Sequence, residues 1–215
     1  ILTEAQLDAF MKVIEKDEFW HDFFNTAVTT GLRRGEICAL RWEDFDAKQE
    51  TLHVRRTLHK EKGKPLTTGD TKTYAGTRKI VLPPSTAQLL RERKKTVPTE
   101  WIFPNLFDPE QPIAPGTAYN RLKVLLKEAG LPDIRFHDLR HTFATHALSS
   151  GVDAKTLAGI LGHTKASFTL DTYTHTTGDM QKRAAEIVGG FLTDYLGEEM
   201  KPWQSRENTA AAPSV

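Results

Sequence analysis

The sequence predicts an α+β fold, mostly helical with a small antiparallel β-sheet. Apolar residues recur at three- and four-residue spacing through most of the chain, with capping residues where the pattern starts and glycines where it stops. Residues 47–83 depart from this, alternating in TLHVRRT and again in TRKIVLP around the turn-rich KGKPLTTGD. No internal repeat is found, which argues for one domain rather than an array. That domain is expected over 1–196, with a polar tail at 197–215 whose composition suits disorder.

Taken in order, Thr3 and Gln6 carry a capping-box signature for a helix over 4–15, with Leu7, Phe10, Met11 and Ile14 on one face. A second helix, 18–30, holds Phe19, Trp20, Phe23, Phe24 and Val28, reads as a core helix and ends at Gly31. A turn, a short helix from Gly35 with Ile37 and Leu40 facing inward, and an exit at Trp42–Asp44 follow. Two or three antiparallel strands are expected next, with a loop carrying Lys72 before the last one. Pro83-Pro84-Ser85 opens a helix to Lys95. Gly116–Gly130 is amphipathic through Leu122, Val124, Leu125 and Ala129. Helices at 138–149, stopped by Ser150-Gly151, and 153–161, stopped by Gly162, come next; segments 166–176 and 179–196 complete the set.

Composition excludes several classes. Hydrophobic content of 39% and charged content of 27% fit a globular chain of 215 residues with a real core. No apolar run is long enough for a membrane span, and none resembles a signal peptide. The single cysteine, Cys38, excludes a disulfide framework and a four-cysteine zinc site, and fits a reducing compartment. Net charge is only +1, yet basic residues gather in HVRRTLHKEKGKP (53–65) and RERKK (91–95) while acids crowd EKDEFWHD (15–22) and GEEM (197–200). A basic face and an evenly solvated surface both fit that distribution. Because it begins with Ile1 rather than Met, the chain reads as a piece of a longer protein.

The chemistry gathers between His137 and Tyr173. In HDLRH (137–141), His137, Arg140 and His141 can share one helical face. Paired histidines four apart can bind zinc, but zincin-type sites place a glutamate after the first histidine, where Asp138 stands here. A neighbouring arginine would also repel a cation, so metal is disfavoured; pairing with core carbonyls is the structural alternative. Taken alone, His163 in LGH reads as a turn residue and Tyr173 in TLDTYTH as a packing tyrosine.

Together the motifs say more. TGLRRGEICALRW (30–42), TKTYAGTRKIVLP (71–83), HDLRHTFATHAL (137–148), LGH (161–163) and TLDTYTH (169–175) resemble, in order and spacing, the catalytic domain of tyrosine recombinases. The likeness is greatest to the integrases of phages and of integrative or conjugative elements, relatives of lambda integrase and the Xer recombinases. It implies the DNA breaking-rejoining fold and the catalytic set Arg33, Lys72, His137, Arg140, His163 and Tyr173. Arg34 occupies a variable position and is not counted. The resemblance further implies a core-binding domain upstream of Ile1, a double-stranded DNA recombination site as partner, and a dimer on one site. It implies a tetramer during exchange, joined through the C-terminal helix, and accessory DNA-bending proteins. The expected location is the bacterial cytoplasm, on DNA, with no membrane partner, metal or cofactor.

Phosphodiester transesterification accounts for these residue types. A phenol with a pKa of about 10 is well under ~1% ionised at neutral pH, a deficit of about 4 kcal/mol that nearby cations must offset. Guanidinium forks suit the non-bridging oxygens (Arg33, Arg140), and a mobile amine suits protonation of the leaving 5′ oxygen (Lys72). His137 suits acceptance of the tyrosine proton and His163 donation to the phosphate. Glu36, one turn after Arg33, reads equally as a residue orienting that arginine or as a helix-surface acid. Lys64, Arg78, Arg121, Lys123 and Arg135 are candidate phosphate contacts by charge and proximity to the motifs. A non-catalytic DNA-binding module of the same fold and a type IB topoisomerase-like nicking-closing enzyme are the rival readings.

Overall fold

The computed structural model describes residues 1–60, 65–70 and 77–163, and the helical positions 182, 185–188 and 190. The chain divides into two units, 1–174 and 175–215.

Helix α1 (Glu4–Ile14) starts at the predicted capping box: the Gln6 amide donates to Thr3 Oγ1 at 3.3 Å, and the Thr3 amide to Gln6 Oε1 at 3.0 Å. Phe10 and Ile14 are its buried positions. Helix α2 (Glu18–Thr30) is capped by Asp17, whose carboxylate accepts from the Trp20 amide. Its Trp20, Phe23 and Phe24 form the middle of an aromatic cluster in which Phe23 meets Phe103 at 5.1 Å and Phe136 at 6.2 Å, both edge to face. The second of these contacts ties α2 to the helix that carries the HDLRH motif.

Gly31 stops α2 in the left-handed region at φ 63°, and a Cβ there would lie 2.4 Å from the Phe143 ring. Only glycine meets both demands. Its carbonyl is thereby brought against the motif helix, which matters below.

The short helix α3 (Arg34–Cys38) and a 3-10 turn (Trp42–Asp44) lead into the strands. Strands β1 (Phe45–Asp46), β2 (Thr51–Val54) and β5 (Arg78–Val81) form one antiparallel sheet in the order β1-β2-β5, with Leu52 opposite Ile80. Strands β3 (Arg56–His59) and β4 (Thr67–Asp70) form a second antiparallel pair, with Leu58 opposite Thr68. The sequence predicted one sheet of two or three strands. The alternating run is instead broken at Arg55, so its halves enter different sheets, and the stretch read as turn supplies β4. Gly35 lets α3 lie on β3, since a Cβ there would meet the Leu58 carbonyl at 2.6 Å.

Helix α4 (Pro84–Thr96) carries Arg93 into the core, where it pairs with Asp22 at 3.1 Å. Helix α5 (Pro115–Glu128) buries Leu122, Leu125 and Leu126, whereas Val124, expected on that face, is exposed. At 100° per residue Val124 falls well away from the stripe through Leu122 and Leu125. Helices α6 (Phe136–Ser149) and α7 (Ala154–Leu161) follow; Asp153 caps α7 and Gly162 ends it at φ 69°.

In the second unit, positions 182, 185–188 and 190 are helical, within the helix expected over 179–196. The expected segment 166–176 and the tail 197–215 lie outside the described residues. No described helix is long and apolar enough to cross a membrane.

Candidate active site

Arg33 immediately precedes α3, and the Gly31 stop turns the chain so that it stands at the helix entrance with its side chain 41% exposed. Glu36, one turn on, accepts from the Arg33 amide at 2.8 Å through Oε2 and from its guanidinium at 2.8 Å through Oε1. Glu36 is itself only 2% exposed, so the helix-surface reading of this acid is overturned. Arg78 grips the same carboxylate with both terminal nitrogens, NH1 to Oε1 at 3.0 Å and NH2 to Oε2 at 2.9 Å, while its Nε donates to the Ile160 carbonyl at 2.6 Å. Burial alone would raise the Glu36 carboxyl; the pairs with Arg78 and Arg33 outweigh it and hold the group below its usual range.

Arg140, in the second turn of α6, is sealed at 2% exposure. It donates to the Gly31 carbonyl at 3.0 Å and the Leu161 carbonyl at 2.7 Å, and its NH2 lies 3.0 Å from His163 Nε2. Guanidinium nitrogens only donate, so that Nε2 is an acceptor and the ring proton of neutral His163 sits on Nδ1. Burial, then Arg140, Arg33, Arg78 and His137, push the His163 imidazole down to about 4.

His137 opens α6 behind a local clamp in which Asp138 accepts from the Arg135 amide at 2.8 Å and its guanidinium at 2.9 Å. The His137 and His141 rings meet edge to face with centroids 4.5 Å apart. Burial, followed by His141, Arg140 and Arg33, lowers the His137 pKa below its ordinary value. Both motif histidines are therefore neutral near pH 7, and each feels Arg33 and Arg140.

Arg33 and His137 border a groove of 1050 Å³ whose other lining includes Arg34, His59, Lys60 and Arg135. Among the described residues, none of those lining it is acidic. This is the basic face that the near-zero net charge concealed.

Four of the six predicted catalytic residues (Arg33, His137, Arg140, His163) are thus brought together from distant parts of the sequence. Lys72, Tyr173 and the candidate contact Lys64 lie outside the described residues. Arg135 is 75% exposed at the groove. Arg121 lies 3.8 Å from Asp17, and Lys123 is paired with Asp133 and the Ile134 carbonyl; neither lines the groove. Arg78 departs from expectation: its side chain is 6% exposed and committed to Glu36, so it is no surface contact. Arg34, which sequence reasoning set aside, lines the groove and lies 5.6 Å over the Tyr119 ring. Lys60 was signalled only by the basic run around it.

Comparison with known proteins bears on this arrangement. Residues 1–179 match the model of the phage integrase family. The chain belongs to that family. Its fold is accordingly the α+β fold of tyrosine recombinases. It is 32% identical over 186 residues to a XerC-like tyrosine recombinase of Caldanaerobacter subterraneus subsp. tengcongensis, covering 77% of this chain and 48% of that protein. It is 30% identical over 206 residues to the tyrosine recombinase XerA of Pyrococcus furiosus, covering 92% and 64%. Among solved structures, the Tn1549 transposon integrase in complex with transposon right-end DNA matches with a TM-score of 0.74 at 26% identity, over 87% of this chain and 65% of that one. The chain thus spans about half to two thirds of the length of these relatives.

Proposed function

We propose that this chain is the catalytic part of a site-specific DNA recombinase. It would cleave and rejoin double-stranded DNA through a 3′-phosphotyrosyl intermediate, without metal or ATP. The observation that carries the reading is the meeting of Arg33, Arg140, His137 and His163 beside a groove with no acidic lining among the described residues. Such a cluster suits an anion with charge on two non-bridging oxygens, and guanidinium forks match that geometry. The DNA-bound state of the Tn1549 integrase supports duplex DNA as the partner.

In this reaction the Tyr173 phenol attacks phosphorus, the bond to the 5′ oxygen breaks, and the phosphate is left on tyrosine. His137, neutral because burial and its cationic neighbours depress it, takes the phenolic proton. Lys72 returns a proton to the 5′ oxygen. Arg33 and Arg140 neutralise the non-bridging oxygens, and His163 donates through Nδ1 while Arg140 fixes its other nitrogen. Attack by a 5′ hydroxyl from another strand reverses the step and reseals the DNA, so no nucleotide cofactor is consumed. Two protomers on a site, and four in the exchange complex joined through the C-terminal helix, complete the proposal; accessory DNA-bending proteins would assist assembly.

A nicked suicide duplex carrying the recombination site tests this. Covalent attachment in EDTA, lost in Tyr173→Phe while binding persists, is the expected result. Attachment that survives Tyr173→Phe or maps to Tyr195 refutes the assignment, and relaxation of supercoiled plasmid lacking any site favours a topoisomerase instead.

A further inference from the structure

Arg78 is a buried guanidinium of the site that the mechanism does not use. Arg78 stands at the start of β5 and points away from the groove into the base of the cluster, with its side chain 6% exposed. Among the described residues its three nitrogens reach two different elements: the terminal pair closes a bidentate fork on Glu36 of α3, and Nε donates to Ile160 in the last turn of α7.

Each contact has a reason. The last four carbonyls of a helix lack intrahelical donors, and its C-terminus favours cations. At the end of α7 the neighbouring carbonyls of Ile160 and Leu161 are taken by two different arginines, Arg78 at 2.6 Å and Arg140 at 2.7 Å. His163 follows two residues later, beyond the Gly162 turn, with its amide donating to the Ala158 carbonyl. Glu36 is shared in the same way: each carboxylate oxygen receives one bond from Arg78 and one from Arg33. A lone carboxylate buried this deeply would be expelled or protonated; two arginines keep it charged.

We propose that Arg78 is a positioning residue for the cleavage reaction, fixing Arg33 through Glu36 and the His163 turn through Ile160, so that the two halves of the phosphate site are set by one side chain. It touches neither substrate nor reacting atoms. This inference rests on the reading above, in which Arg33 and His163 hold the scissile phosphate. Lysine cannot replace it, because one ammonium cannot form the fork on Glu36 and reach Ile160 together.

The test uses the full chain and single-turnover attachment to the nicked suicide duplex, with either a phosphodiester or one stereoisomer of a methylphosphonate at the scissile position. The methylphosphonate lacks one charged oxygen, so an arginine that neutralises that oxygen becomes dispensable. Arg78→Lys is expected to bind duplex within ~3-fold of the parent but to cleave the phosphodiester ~10²-fold more slowly, the scale of losing one preorganised donor. On the stereoisomer that relieves Arg33→Ala, the Arg78→Lys deficit shrinks below ~5-fold. A merely structural arginine leaves the same deficit on every substrate, and that result, or a parental rate on the phosphodiester, overturns the proposal. If Arg78→Lys does not fold, Glu36→Gln, which keeps the shape but sets an amide donor against the two arginines in place of one acceptor oxygen, carries the same comparison with the same outcomes. A parent chain that never attaches to the phosphodiester refutes the recombinase reading itself, a failure distinct from that of Arg78.

Discussion

Arg93 and Arg140 are both nearly sealed from solvent, at 5% and 2% exposure, but they are buried in different company. Arg93 meets the Asp22 carboxylate at 3.1 Å, donates to the Ile102 carbonyl at 2.8 Å and lies over the rings of Phe19 and Phe103. Its charge is answered inside the fold. Among the described residues, Arg140 donates to two carbonyls and lies against an imidazole nitrogen, neutral groups that orient its guanidinium. Among the described residues, the Glu36 carboxylate serves two further arginines, Arg33 and Arg78. The Arg93–Asp22 pair is closed within the fold, whereas the proposed function sets the Arg140 cluster against an anion.

Several measurements sharpen or break that contrast. Arg140→Ala should be the most severe change, cutting cleavage by ~10³-fold or more, since the proposed phosphate donor and the anchor of His163 vanish together. Single-turnover attachment checks it. Asp22→Ala should strand Arg93 in the core and cost about 3–5 kcal/mol in urea denaturation, whereas replacing both partners by apolar residues should cost far less.

Acid should act on the motif cluster through its histidines. His163 is pushed down to about 4 from an ordinary 6.5, and His137 is also lowered. The unfolded chain therefore binds more protons than the folded one between those values, and stability rises with pH across that window. The urea midpoint should climb from about pH 4 to about pH 6.5, and more steeply in the parent than in His163→Gln. Superimposable profiles for the two proteins would show that the His163 environment has been misread. The smallest effect is expected from a bond in the middle of α6 that ties the helix to the start of the chain. There the Leu2 amide donates to Thr142 Oγ1 at 3.0 Å, and Thr142→Val should cost about 1 kcal/mol.

Local signals made much of this fold legible. The Thr3–Gln6 box, the Gly31 and Gly162 stops and the Asp153 cap are each set within a few residues of chain, and the helices begin and end where those residues place them. The strands were less legible, because leaving one sheet for another at Arg55 is a tertiary choice that alternation cannot encode. Arg33, His137, Arg140 and His163 were found by motif, yet the Arg78–Glu36 pair joins residues 42 positions apart. Charge alone suggested a surface contact for Arg78 and left Glu36 undecided; only folding shows that each is the other's reason for being buried. Lys60 was hidden because a basic run carries no information about which way it faces, and Arg34 because its position in the motif is a variable one.

The central claim is that the motif arginines serve the proposed cleavage while Arg93 serves stability, and paired measurements on Arg33→Ala and Arg93→Met test it most directly. Cleavage rate and urea midpoint would be read for both, on the same suicide duplex. Arg33→Ala should lose ~10²–10³-fold in attachment with a nearly parental midpoint, while Arg93→Met should lose stability and, where folded, attach at close to the parental rate. Attachment that survives Arg33→Ala, or fails in folded Arg93→Met, would contradict the account.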